Sequence, residues 1–118
     1  MIDGAVSGAE LTITAAGDLD LAERAQFPPL VALAEAGGLE RVVVDLCAVG
    51  FVDSSGASFL VQLATRVRRD GGRAVLRGAD EGVLYVLRVC GALEAFDVDA
   101  SHRCPPTSGR GPWRVDRG

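Results

Sequence analysis

The chain has 118 residues, 48% of them apolar and only 5% aromatic, so one globular core built on Val, Leu and Ala is expected and a disordered chain is excluded. A formal charge of −4, with all 12 basic residues Arg and none Lys, argues against a nucleic-acid binder, which carries a basic footprint.

Leu11-Thr-Ile-Thr-Ala15 alternates apolar and polar residues, the pattern of a half-buried strand. A shorter strand around Ala5-Val6 precedes it, joined by a turn at Ser7-Gly8, and Gly17-Asp18 ends the pair. Leu30, Val31, Leu33 and Ala34 recur at helical spacing up to Gly37-Gly38, a glycine stop. Pro28 and Pro29 fit only a first helical turn, whose amides have no partner anyway, so the helix starts near Pro28 after a looser lead-in over 21–27.

Arg41-Val-Val-Val-Asp-Leu46 is a β-branched run of the kind found in strands buried on both faces. Leu60, Leu63, Ala64 and Val67 then give one apolar helix face, stopped by Gly71-Gly72. Arg73–Arg77 reads as another strand. Asp80 caps a third helix over 81–90 with Val83, Val86, Leu87 and Cys90 inward, and Ala95–Val98 forms a last short strand. The order β-β-α-β-α-β-α-β predicts an α/β fold with a mixed sheet, its hairpin followed by parallel β-α-β neighbours. The domain is expected over residues 1–100. The segment 101–118, rich in Pro, Gly, Ser and Arg and holding Trp113, is expected to be a flexible tail.

No apolar run approaches the roughly 20 residues of a membrane span, and the acidic start MIDGAVSGAE does not read as a signal peptide. Cys47, Cys90 and Cys104 are odd in number and widely spaced, which suits reduced thiols in a cytoplasmic protein better than a disulfide framework. Cys47 and Cys90 lie in apolar segments, where a thiol behaves as a small hydrophobe.

The chemistry-bearing run is Phe51-Val-Asp-Ser-Ser-Gly-Ala-Ser-Phe-Leu60, at the start of the second helix. Its simplest reading is a cap, with Asp53 or Ser54 accepting bonds from the free amides of the first turn, worth ~1 kcal/mol. The same geometry makes Ser55 a place that tolerates a phosphate, because a helix N-terminus carries partial positive charge. Ser55, Ser58, Gln62, Arg66 and Arg69 recur every three or four residues as a polar stripe, either plain solvated surface or a docking face centred on Ser55.

Other chemistries find less support. A serine hydrolase needs a base, and the sole histidine, His102, lies in the expected tail; a G-x-S-x-G elbow is absent. His102 and Cys104 make two ligands without a second pair, so no metal site is expected, nor any cofactor, since phosphate-loop and dinucleotide glycine patterns are missing. Asp18 and Asp20 form a turn and a helix cap. They follow the strand expected beside Val42–Leu46, which would bring Asp20 toward Asp53–Ser55.

"GDLDLAE" at 17–23, "RVVVDLCAVGFVDSSGASFL" from Arg41 and "VLYVLRVCGALEAFDV" from Val83 together resemble the STAS domain of bacterial anti-sigma factor antagonists, from about Leu11 to Val98. The resemblance implies a mixed sheet of four to five strands covered by three to four helices. It also implies a non-enzymatic, cytoplasmic partner-switching protein that binds an anti-sigma factor serine kinase. The kinase phosphorylates the second serine of D-S-S-G, here Ser55, and a phosphatase reverses the modification. Asp20, Asp53, Ser54, Ser55, Gly56, Ser58 and Gln62 would then form the partner-binding face, with no nucleic acid or membrane involved. An alternative on the same fold is an unphosphorylated scaffold subunit, for example of a lipid-transport ATPase complex. The sequence departs from the family pattern in three places: Ala57-Ser58 where Leu-Gly is usual, Pro28-Pro29 in the first helix, and the segment after Ala100.

Overall fold

A computed structural model describes residues 1–105. Strands β1 (Ile2–Ser7) and β2 (Glu10–Leu19) form the expected antiparallel hairpin. They are followed by helix α1 (Phe27–Glu35), β3 (Arg41–Val52), α2 (Ser54–Arg69), β4 (Arg73–Arg77), α3 (Glu81–Val89) and β5 (Asp97–Asp99). The five strands lie in sequence order, β1-β2-β3-β4-β5, and every pair after the hairpin is parallel. This is the α/β mixed sheet expected from the element order, and three α-helices accompany it.

All three helices pack on one face of the sheet. Leu11, Ile13, Val42, Val44, Leu46 and Leu76 present it, and Leu30, Leu60, Leu63, Val67, Val83 and Leu87 close over it in one cluster. Phe27 of α1 stacks on Phe59 of α2 with ring centroids 4.3 Å apart, fixing the helix pair. Residues Leu21–Gln26 form a 3-10 segment capped by Asp20, and the two prolines stand in the first turn of α1, where no amide is lost. Asp80 caps α3 through the Val83 amide at 2.8 Å. Val83 and Leu87 are buried as expected. Cys90 is not: it is the residue that ends the helix, and it is exposed.

β3 runs six residues further than its alternation suggests, because it carries two bulges against β2. From Thr14 to Ala16 on β2 the partner moves from Asp45 to Ala48, and from Gly17 to Asp18 it moves from Val49 to Phe51. Each shift inserts one extra residue into β3. Its core positions therefore fall at Val42, Val44 and Leu46, then at Val49 and Val52, a change of period that reads as a loop.

The opposite face carries Val43, Asp45, Cys47, Val75 and Arg77, and the chain beyond β5 folds back onto it. Arg77 Nε pairs with Asp45 Oδ2 at 3.2 Å across neighbouring strands. Cys47 is bonded to Cys104 in a disulfide, with Cα atoms 5.5 Å apart, which overturns the expectation of reduced thiols and of Cys47 as a core hydrophobe. The first bulge lies next to Cys47, whose sulfur lies beside the Gly78 loop rather than under the helices. Residues 106–118, including Trp113, lie outside the described residues. Among the described residues no helix is long and apolar enough to cross a membrane.

Candidate functional site

β2 and β3 are parallel neighbours, so both end at the same edge, where Leu19 pairs with Val52. From that edge β2 turns into the Asp20-capped 3-10 segment and β3 into α2. Asp53 ties the two exits together. Its Oδ1 accepts from the Ser55 and Gly56 amides at 2.8 and 3.0 Å, and its Oδ2 accepts from the Leu21 amide at 3.1 Å. Its own amide donates to the Leu19 carbonyl at 3.2 Å. Asp53, not Ser54, is thus the cap of α2, because its carboxylate reaches two amides of the helix and one of the neighbouring segment at once.

Gly56 explains how α2 comes so close. It is buried, and a Cβ at this position would overlap the carbonyl oxygen of Leu19. A side chain here would push the N-terminus of α2 away from the end of β2. The glycine of D-S-S-G is a packing requirement between helix and strand.

The remaining candidates line the rim of this junction. Ser54 is exposed, Ser55 half-buried, and Ser58 and Gln62 exposed one and two turns further along α2. The Ser55 hydroxyl makes no hydrogen bond among the described residues. Further along the stripe, Arg66 forms an ion pair with Glu35 of α1 at 2.9 Å, its Nε shielded from solvent but off the hydrogen-bond direction. Asp20 comes to the same edge as Asp53, as its position after β2 suggested. Its carboxylate is turned to the Ala22 amide at 3.1 Å, capping its own segment.

Two residues of this rim escaped the reading of the sequence. Phe51, two residues before Asp53 in β3, is 49% exposed, and Leu21, whose amide bonds to Asp53, is 55% exposed. Large apolar groups held in solvent are what a protein interface uses at its centre. The signal was available in Phe51, a bulky residue adjacent to D-S-S-G, but the bulges hid the fact that it faces outward.

An Asn at position 53 keeps one oxygen for the helix amides but sets an NH2 group against the Leu21 amide. We expect Asp53→Asn to lose about 1 kcal/mol and to lower the thermal midpoint by about 5 °C, read by circular dichroism. An unchanged midpoint would show that the bond to Leu21 contributes nothing.

His102 stands beside Asp45 on the back face, with Nε2 3.9 Å from Asp45 Oδ2, so it is committed to the middle of β3 rather than to Ser55. Asp99 organises the chain just before it: the Ser101 hydroxyl and amide bond to its carboxylate and hold that group below its ordinary pKa.

This junction is a strand-end edge of a small α/β domain, with a capped helix that carries D-S-S-G. Residues 2–103 match the STAS domain, and the chain belongs to that family. Among solved structures, an anti-sigma-factor antagonist (STAS) domain protein from Planctomyces limnophilus is similar at 22% identity and TM-score 0.74, covering 86% of this chain and 91% of that one. A serine-to-glutamate variant of RsbS from Moorella thermoacetica is 15% identical with a TM-score of 0.71, over 99% and 98% of the two chains. The Bacillus cell fate determinant SpoIIAA in its phosphorylated form is 17% identical with a TM-score of 0.66, over 99% and 98%. No curated protein matches the chain in sequence.

Proposed function

We propose that this STAS domain is an anti-sigma factor antagonist, acting in the cytoplasm by binding an anti-sigma factor that is also a serine kinase, with Ser55 as the residue the kinase modifies and a phosphatase restores. The observation that carries the reading is the placement of Ser55. It sits in the first turn of α2, next to the ends of β2 and β3, half-buried and with its hydroxyl unbonded, while Phe51 at the end of β3 and Leu21 just after β2 are exposed. Asp20, Asp53, Ser54, Gly56, Ser58 and Gln62 complete the face in this proposal. Asp53 and Gly56 build it, and the serines and Gln62 touch the partner.

The electrostatics favour release on phosphorylation over ordering. The positive end of α2 attracts a phosphate, but Asp53 already occupies the Ser55 and Gly56 amides, and Asp18 and Asp20 lie nearby along the β2 exit. A phosphoryl group adds about −1.5 to −2 charge to a rim that is already negative. Burying it unpaired in an interface would be costly.

The test is binding in the presence of ADP to a serine-kinase anti-sigma factor encoded in the same genome. Unphosphorylated wild type and Ser55→Ala should bind with the same affinity within about twofold, since the hydroxyl alone is worth little beside the apolar flanks. A Phe51→Ala variant should bind at least about tenfold more weakly. Binding unaffected by Phe51→Ala would move the docking face elsewhere. Assembly that ignores every change at Ser55, phosphorylation included, would favour a constitutive scaffold.

A further inference from the structure

We propose that Cys47, His102 and Cys104 form a binding site for a zinc-class divalent cation when the two cysteines are reduced, and that their disulfide is the oxidised, metal-free state of the same site. A ligand atom from each of the three side chains, two sulfurs and an imidazole nitrogen, falls within 4.8 Å of the others. A tetrahedral ion with bonds of about 2.0–2.3 Å holds its ligand atoms about 3.3–3.8 Å apart, so modest side-chain rotation converts one state into the other. Two thiolates and an imidazole are the soft donor set that selects zinc over magnesium or calcium.

Three further features mark the site as built. His102 Nε2 is shielded from solvent and has no hydrogen-bond partner among the described residues, and ligation through Nδ1 would leave that orphan to donate to Asp45 Oδ2, 3.9 Å away. Gly78 follows β4 with a φ of +81°, and a Cβ there would overlap Cys47 Sγ and lie 3.1 Å from Cys104 Sγ, so the loop leaves room for both sulfurs. Asp45 orders the surroundings. Its Oδ1 accepts from the Cys47 amide at 2.9 Å, its Oδ2 accepts from Arg77, and the same oxygen faces His102, as carboxylates do behind ligating imidazoles. Cys104 Sγ lies 3.6 Å from the Gly78 carbonyl oxygen; it has no proton to donate in the disulfide and gains one on reduction. Three protein ligands leave a fourth position for water.

The interconversion balances. A dithiol reductant gives two electrons and two protons to the Cys47–Cys104 bond, leaving two thiols and its own disulfide. The cation then displaces the thiol protons as it binds. In reverse, hydrogen peroxide takes two electrons from the bound thiolates and two protons from solvent, yielding the disulfide, two waters and the free cation. In either state the chain after β5 is fastened to the back of β3, and the site is independent of the Ser55 face.

The test uses the full chain, reduced with a dithiol and then freed of it anaerobically, titrated with Co2+ and competed with Zn2+. One Co2+ per chain should bind with intense thiolate charge-transfer absorption, and Zn2+ should displace it. Cys47→Ser and Cys104→Ser should each abolish that band, His102→Ala should weaken binding about tenfold or more, and Cys90→Ser should change nothing, with circular dichroism confirming folded chains. Hydrogen peroxide should release the cation with loss of two titratable thiols. A reduced, folded Cys90→Ser chain that takes up no Co2+, or a charge-transfer band that survives Cys104→Ser, would overturn the proposal.

Discussion

Gly56→Ala is expected to lower the stability of the domain by about 2 kcal/mol and to loosen the N-terminus of α2. At an open helical position the same change would stabilise by about 1 kcal/mol, because alanine is the better helix former. Here the new methyl would overlap the carbonyl oxygen of Leu19, a backbone atom that cannot swing aside. Such overpacking typically costs 1–3 kcal/mol, occasionally more, and it wins over propensity. The Asp53 bonds would stretch with it, since the Gly56 amide and the Leu21 amide share that carboxylate. Chemical denaturation reads the effect, and the sign is the informative part. A stabilised Gly56→Ala would mean that α2 does not rest against β2 as described.

Ser55→Asp is expected to leave the fold alone and to weaken partner binding by at least about tenfold. The side chain is at the rim and only half-buried, so the substitution should change stability by no more than about 0.5 kcal/mol. At an interface the accounting differs, because like charges brought together there cost several kcal/mol and about 1.4 kcal/mol is a factor of ten in affinity. The added carboxylate meets Asp53 and finds its two nearest helix amides already used. A phosphoryl group carries nearly twice the charge and should weaken binding by about 100-fold on the same reasoning. Calorimetry on the folded variant decides it. Undiminished affinity for Ser55→Asp would remove the electrostatic basis of the switch.

The parts of the fold that repeat a simple period were readable in the sequence. β4 falls on Arg73–Arg77 as its apolar run suggests, and Leu60, Leu63, Ala64 and Val67 are all buried, as their helical spacing demands. Pro28 and Pro29 marked the start of α1 because proline tolerates so few positions. What escaped has physical reasons. The bulges of β3 break alternation after Leu46, so half of that strand looked like a loop and Phe51 looked unremarkable.

Long-range covalent chemistry was hidden for a different reason. Cys47 and Cys104 are separated by 57 residues, and nothing local says that the chain after β5 returns to the back of β3. The same return adds Cys47 to His102 and Cys104, which in sequence are merely two nearby ligands without a second pair. At the D-S-S-G segment the cap was legible from residue types, since Asp and Ser at a helix start admit few other roles. That Asp53 also holds the Leu21 segment, and that Gly56 is there for the Leu19 carbonyl, depend on β2 and β3 lying side by side.

The central claim is that Ser55 is the residue through which a kinase controls partner binding. The most direct measurement is phosphosite mapping by mass spectrometry after incubating the chain with ATP and the serine-kinase anti-sigma factor of the same genome. The account predicts phosphoserine at Ser55, absent from Ser55→Ala, with release of the complex as the modification accumulates. Phosphorylation of Ser55→Ala to the same extent as wild type, or modification of Ser54 or Ser58 in place of Ser55, would contradict it.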